Sequence, residues 1–499
     1  MASLPERPRR GSAKTDPPPP AQLVSSRLHL LPSQLLVAEL FFDVPLDYRD
    51  PDGEKIRLFG RAAFKHEKPI VPSFPWGTNT GNRAGTGESD QDLRELFGRP
   101  WLVYLEGGPG VGNRPPQDHP FTRVMLNRGY QVLFLDYRGT GLSSPITAAT
   151  LRQRGPAAAT QAAYVRLFRA DTIVRDLEAV RACLTCDQPA NKRKWSLLGQ
   201  SFGGFVSLTY LSFYPDGLRE VFVTGGLAPV GQAPETVYRA TFRKAQQRNA
   251  AYFGKYPEDR GALQQIAAFL HGQPDHRLPL PGGGALTMQR LLTSGYMFGF
   301  HGGLDTAHAL VLRMRVDLER TGLLTRPTLV AVEQFFALDT MPLYGALHEA
   351  IYCHTQGVAS RWAAQRVAAE FAEFRWAADD VVAPDAVASV SFSTEMIFPF
   401  MFDTFPELIE MKEVAQLLAD YDEWDDLYDE AQLAANRVPV YAASFIDDLY
   451  VDFELARETA RKVGAIRVFE TNGLYHNAIR ARTEEVLTQL FRLRDDSID

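Results

Sequence analysis

Residues 194–213 read KWSLLGQSFGGFVSLTYLSF, and this stretch restricts the fold more than any other. A short apolar run breaks at Gly199, passes through Gln200, Ser201, Phe202, Gly203 and Gly204, and enters a segment with helical apolar spacing. A strand that feeds a helix through so few residues needs a tight turn, and small neighbours two positions either side of Ser201 let the chain pass close to itself. The turn exposes Ser201 Oγ and aims the first helical amides at developing negative charge. Neighbouring segments repeat the pattern. WLVYL (101–105), QVLFLDYRGTG (131–141) and REVFVTGG (219–226) are further apolar runs, and ADTIVRDLEAVRACL (170–184) carries Ile173, Leu177, Val180 and Leu184 on one helical stripe. Such alternation predicts an α/β fold with a mostly parallel sheet covered on both faces.

Two earlier runs within residues 34–65, LLVAELFFDVPL and KIRLFGRAAF, flank the turn signal Asp50-Pro51-Asp52-Gly53 and read as opening antiparallel strands. From 227 to 431 the alternation gives way to mostly helical segments, interrupted by PDHRLPLPGGG at 274–284. It resumes with RVPVYAASFIDD (437–448), ELARETARKVG (454–464), AIRVFET (465–471) and a closing helix through 482–493. The expected organisation is therefore a disordered tail over 1–27, a sheet domain in two segments (28–226 and 432–499), and a helical cap over 227–431. The Gly-, Pro- and Asn-rich residues 66–99 read as a long loop; GTNTGNRAGTG at 77–87 lacks the Gly-Lys-Ser/Thr ending of a phosphate loop.

Composition narrows the function. Lys plus Arg is 53 against 60 for Asp plus Glu, a net charge of −7, which disfavours a nucleic-acid partner. Three cysteines make no disulfide framework and fit a reducing compartment. The first 20 residues hold no apolar export core; Arg7, Arg9 and Arg10 hint at a transit peptide, but Glu6, Asp16 and the Pro17–Pro20 run favour a tail. No apolar stretch is long enough for a membrane span, so a cytoplasmic protein without a membrane partner is expected. Association with copies of itself stays open.

A serine hydroxyl needs a base, and the base needs an orienting acid. With this kind of elbow the acid and then the histidine follow the serine in the chain. The run ending at Ile446 offers Asp447 and Asp448, and the offset from the strand favours Asp448. His476 alone among ten histidines follows the last expected strand and precedes the last helix. Leu105-Glu106-Gly107-Gly108-Pro109-Gly110 supplies a second oxyanion donor, Gly108 first and Gly107 second, beside the Phe202 amide. His348-Glu349 opens a zinc-protease motif, but Tyr352 stands where the second histidine is required, and Cys183 and Cys186 have no second pair; neither a metal nor an organic cofactor is expected.

Together these segments resemble the prolyl aminopeptidases (proline iminopeptidases) of the α/β-hydrolase fold. The resemblance rests on GGPG at 107–110, DYRGTGLSS at 136–144, DLEAVR at 176–181, LLGQSFGGF at 197–205 and TGGLAPV at 224–230. PLYGALHEAIY at 342–352, STEMIFPFMF at 393–402 and IDDLYVD at 446–452 extend it into the cap and the second core segment. It is to the larger branch, with GQSFGG at the elbow, and Glu106 stands where the family usually has histidine. The resemblance implies a serine exopeptidase releasing N-terminal proline, with peptides as partners and a cap that reads the free amine. It assigns Glu349 and Glu395 to the substrate ammonium and offers Phe398, Phe400 and Phe402 as walls for the pyrrolidine ring. A serine esterase or a broader aminopeptidase on the same fold is the alternative.

Overall fold

The computed structural model describes residues 16–66, 97–378 and 382–496; most of the 66–99 loop and the first 15 residues lie outside the described residues. Nine strands form the main sheet: β1 (Gln22–Leu31), β2 (Leu35–Pro45), β3 (Lys55–Lys65), β4 (Trp101–Leu105), β5 (Gln131–Leu135), β6 (Trp195–Gln200), β7 (Leu218–Thr224), β10 (Val440–Phe445) and β11 (Ile466–Thr471). β8 (Leu278–Pro279) and β9 (Ala285–Leu286) make a separate small antiparallel pair within the 274–286 region. The sheet order is β1-β2-β3-β5-β4-β6-β7-β10-β11. β1, β2, β3 and β5 pair antiparallel, and from β5 to β11 every pairing is parallel.

The central strands β4, β5, β6 and β10 are buried along their whole length, as their unbroken apolar runs require. The helices Ala170–Leu184 and Phe202–Phe213 and the closing helix Thr483–Asp495 cover the sheet. Between β7 and β10 the chain is mostly helical, with long helices at Pro234–Lys255, Asp259–His271 and Gly303–Thr321. Among the described residues no helix is long and apolar enough to cross a membrane.

The boundary expected at residue 28 is corrected. β1 begins at Gln22 and pairs with β2 from Gln22↔Asp43 to Leu31↔Leu35, so residues 22–27 belong to the sheet. β1 is an edge strand with no fully buried residue, and QLVSSRLHLL carries no continuous apolar run to reveal it.

One buried ion pair ties the sheet to its helical cover. Arg138, fully buried, donates to both oxygens of Asp176 at 2.7 and 2.6 Å. It also donates to the carbonyls of Pro45, Leu46 and Leu167, and Tyr48 donates to Asp176 at 2.8 Å. The end of β2, the segment after β5 and the helix Ala170–Leu184 thus meet on one guanidinium. Asp176→Ala strands that charge, and the unfolding free energy from a urea titration is expected to fall by about 3–5 kcal/mol.

Candidate active site

The turn between β6 and the helix Phe202–Phe213 holds Ser201 at φ 54° and ψ −122°, a conformation that non-glycine residues adopt only under constraint. The constraint comes from close chain passage. A Cβ on Gly203 would lie 2.0 Å from Leu105 O, and one on Gly199 would lie 2.5 Å from Gly203 O. Ser201 N donates to Thr224 O at 3.1 Å, which pins the turn to the end of β7.

Ser201 Oγ lies 2.8 Å from His476 Nε2. On the other side of the ring, His476 Nδ1 lies 3.0 and 2.9 Å from the two Asp448 oxygens. With Nδ1–H donating to Asp448, Nε2 is left to accept the serine proton. Asp448 is held in turn by the amides of Tyr450 and Val451, at 2.9 and 3.1 Å to Oδ1. Neighbouring Asp447 points elsewhere: it is half-exposed and pairs with Lys244 at 3.7 Å. All three triad side chains are buried. Burial disfavours the imidazolium, yet the charge and hydrogen bond of Asp448, aided by Glu395, outweigh it and raise the His476 pKa above the ordinary imidazole value. The Tyr450 ring meets the imidazole edge-on at 4.6 Å and fixes its tilt.

The loop after β4 comes within reach of the nucleophile: a Cβ on Gly107 would lie 3.3 Å from Ser201 Cβ. The Gly107 amide is already engaged, donating to Glu106 Oε1 at 2.8 Å. That leaves Gly108, at φ 131°, and the Phe202 amide, which opens its helix and has no intrahelical acceptor. Glu106 is buried and also accepts from Arg480 and, at 3.3 Å, from Tyr104. Arg480 carries Glu106 from the loop to the short helix Ala478–Ala481 just after His476. No local pattern in the sequence points to this partner of Glu106, 374 positions away.

The two cap glutamates part company. Glu395 is near the triad: its field reaches His476 and Tyr450, and its Oε1 accepts from Tyr344 Oη at 2.5 Å and lies 3.9 Å from His348 Nε2. Its Oε2 has no hydrogen-bond partner among the described residues, and the side chain is 11% exposed. Glu349 does something else. Its oxygens accept from the amides of Ala363 and Ala364 at 3.1 and 2.9 Å, capping the helix Ala363–Ala368. Burial still pushes its carboxyl pKa up. Each Glu349 oxygen thus serves one backbone amide at the start of that helix.

Two of the three expected phenylalanine walls are interior residues. Phe398 and Phe402 are essentially unexposed, with rings packed on Trp376 at 5.9 Å and Trp362 at 5.6 Å. Phe400 stacks on Phe398 at 5.5 Å. Phe398 and Phe402 build the cap interior, and Phe400 is half-buried. The rings that surround Glu395 and His476 are tyrosines: Tyr344 bonds Glu395, Tyr450 covers His476, and Tyr296 lies 5.6 Å from Tyr450 and accepts its hydroxyl on the Tyr296 carbonyl. Tyr344 and Tyr450 sit in PLYGALHEAIY and IDDLYVD, so their segments were legible although their roles were not.

The chain has recognisable relatives among known proteins. A family model described as alpha/beta hydrolase fold matches residues 100–279. The chain is 39% identical over 480 residues to the proline iminopeptidase aneH of Aspergillus aculeatus, covering 96% of this chain and 98% of that one. It is 39% identical over 475 residues to a proline iminopeptidase of Aeromonas sobria, covering 95% of this chain and 100% of that one. Among solved structures, a proline iminopeptidase of Mycobacterium smegmatis aligns with TM-score 0.41 and 12% identity, covering 94% of this chain and 98% of that one.

Proposed function

The chain belongs to the proline iminopeptidases, and on that premise we propose that it is a serine exopeptidase releasing proline from the free N-terminus of peptides. The observation that carries the proposal is Glu395: a carboxylate with one uncommitted oxygen, inside the cap and within the field of the His476 imidazole. The N-terminal proline of a peptide is a secondary ammonium, and a partly dry carboxylate binds it through a charge-assisted hydrogen bond. A blocked terminus has no charge to offer.

The chemistry follows from the triad spacing. Ser201 Oγ attacks the carbonyl of the terminal proline while His476 Nε2 takes the hydroxyl proton, and Asp448 stabilises the imidazolium. The amides of Phe202 and Gly108 stabilise the oxyanion. As the C–N bond breaks, His476 returns the proton to the departing peptide amine, leaving a prolyl ester on Ser201. Water, deprotonated by the same imidazole, cleaves that ester and frees proline. Glu106, held by Arg480, is a positioning residue for the oxyanion loop. The three free cysteines and the net charge of −7 support a cytoplasmic enzyme acting on peptides, not nucleic acid.

The two glutamates separate binding from folding. Glu395→Gln is expected to lower kcat/KM for proline 2-naphthylamide by about 10–100-fold, mainly through KM, as loss of a charge-assisted bond implies. Glu349→Gln should leave KM near the parent value and instead lower unfolding free energy by about 1–3 kcal/mol, since one capped amide loses its acceptor. If Glu395→Gln leaves the kinetics unchanged, the amine anchor is wrong.

A further inference from the structure

The helical cap meets the core where the catalytic loops leave the sheet, and one cap segment touches both loops. The 3₁₀ helix Thr293–Gly299 and the two residues after it, Phe300 and His301, contact the loop that carries Asp448 and the loop that carries His476. We propose that His301 is a positioning residue for His476, acting through Asn477, and that the segment 296–301 holds acid and base in register.

Asn477 follows His476 directly and stands at the start of the short helix Ala478–Ala481. Asparagine at that position ordinarily turns its side-chain oxygen onto the first free amides of its own helix. Asn477 makes no such bond. Its Oδ1 instead accepts from His301 N at 3.1 Å and lies 2.7 Å from His301 Nδ1. A backbone N–H can only donate, so the Asn477 atom facing it must be the oxygen, and Nδ1 must carry the ring proton. The other ring nitrogen, Nε2, is buried without a hydrogen-bond partner among the described residues, so Asn477 is the polar anchor of the ring. Tyr475, on the other side of His476, is gripped as well. The His301 ring meets it edge-on at 5.1 Å, and the Arg248 guanidinium lies 4.8 Å from its ring centroid. Arg248 Nε donates to Phe298 O at 3.1 Å, which joins that contact to the same cap segment.

The acid side is held by the same stretch. Tyr450, whose amide bonds Asp448, donates its hydroxyl to Tyr296 O and packs on Phe300 at 5.6 Å. The fit is close: a Cβ on Gly299 would lie 2.4 Å from the Tyr450 ring. One short run of cap residues therefore spans the neighbours of His476 and the residue that bonds Asp448. A misplacement of about 1 Å at a reacting group costs on the order of 100-fold in rate, so slack in the Asn477 tie reaches the chemistry.

This role rests on the triad reading but not on the choice of substrate, and fluorophosphonate labelling of Ser201 tests it without a peptide. The second-order labelling rate of His301→Ala is expected to fall about 10–100-fold, with a like fall in kcat for proline 2-naphthylamide and KM within about threefold of the parent. His301→Asn places an amide N–H where Nδ1–H stood and should restore labelling to within about threefold of the parent. Asn477→Ala removes the acceptor and should lose at least as much as His301→Ala, and the double variant should label no more slowly than Asn477→Ala alone. Should His301→Ala fail to fold, Asn477→Ala tests the same tie from the core side. Labelling of either alanine variant within about twofold of the parent, a loss in His301→Asn as large as in His301→Ala, or additive losses in the double variant overturns the proposal. If the parent labels but leaves proline amide intact, the peptidase reading fails while the labelling ratios still decide this one.

Discussion

Ser201→Ala is expected to lower kcat for proline 2-naphthylamide by about 10⁵–10⁶-fold, as loss of a triad nucleophile does elsewhere. The residue has no substitute: Ser201 Oγ is the atom 2.8 Å from His476 Nε2, on a turn whose glycines leave no room for rearrangement. Residual turnover reflects only substrate binding and the oxyanion amides. The variant should keep its circular dichroism spectrum and lose covalent labelling by a fluorophosphonate. Activity within tenfold of the parent refutes the nucleophile assignment.

Asp448→Asn is expected to cost about 10⁴-fold in kcat, because the amide disfavours the tautomer that leaves Nε2 free to accept. Asp447→Asn, at a solvated residue paired to Lys244, should change kcat less than about threefold. The pH profile adds an independent test. His476 must be neutral to act as base, and its pKa is raised by Asp448. The acid limb of kcat/KM for the parent enzyme should therefore fall as pH drops through a value above the ordinary imidazole pKa. Removing the Asp448 charge should move that limb to lower pH. A limb that stays in place, or comparable losses in the two aspartate variants, contradicts the assignment.

The elbow was legible in the sequence because its geometry is local. A turn this tight accepts no Cβ at positions 199 and 203, so the glycines announce it. His476 and Asp448 were legible for a related reason: each follows a strand, β11 or β10, at the sheet end where the nucleophile also emerges. What sequence could not show was set by distant partners. Glu349 caps a helix starting 14 positions away, which no local pattern encodes. Phe398 and Phe402 look the same in sequence whether they line a pocket or pack on Trp376 and Trp362. β1 escaped because an edge strand needs only half its surface covered.

The proposed function rests selectivity on the cap and not on the triad, since a serine triad on this fold serves esters and amides alike. The most direct test compares kcat/KM for the 2-naphthylamides of proline, N-acetylproline, alanine and leucine with that for p-nitrophenyl butyrate. The account predicts that free proline amide is preferred over every other amide by at least about tenfold, and that acetylation abolishes its cleavage. Efficient hydrolysis of the butyrate or the leucine amide, with proline amide untouched or the acetylated form cleaved equally well, would contradict it.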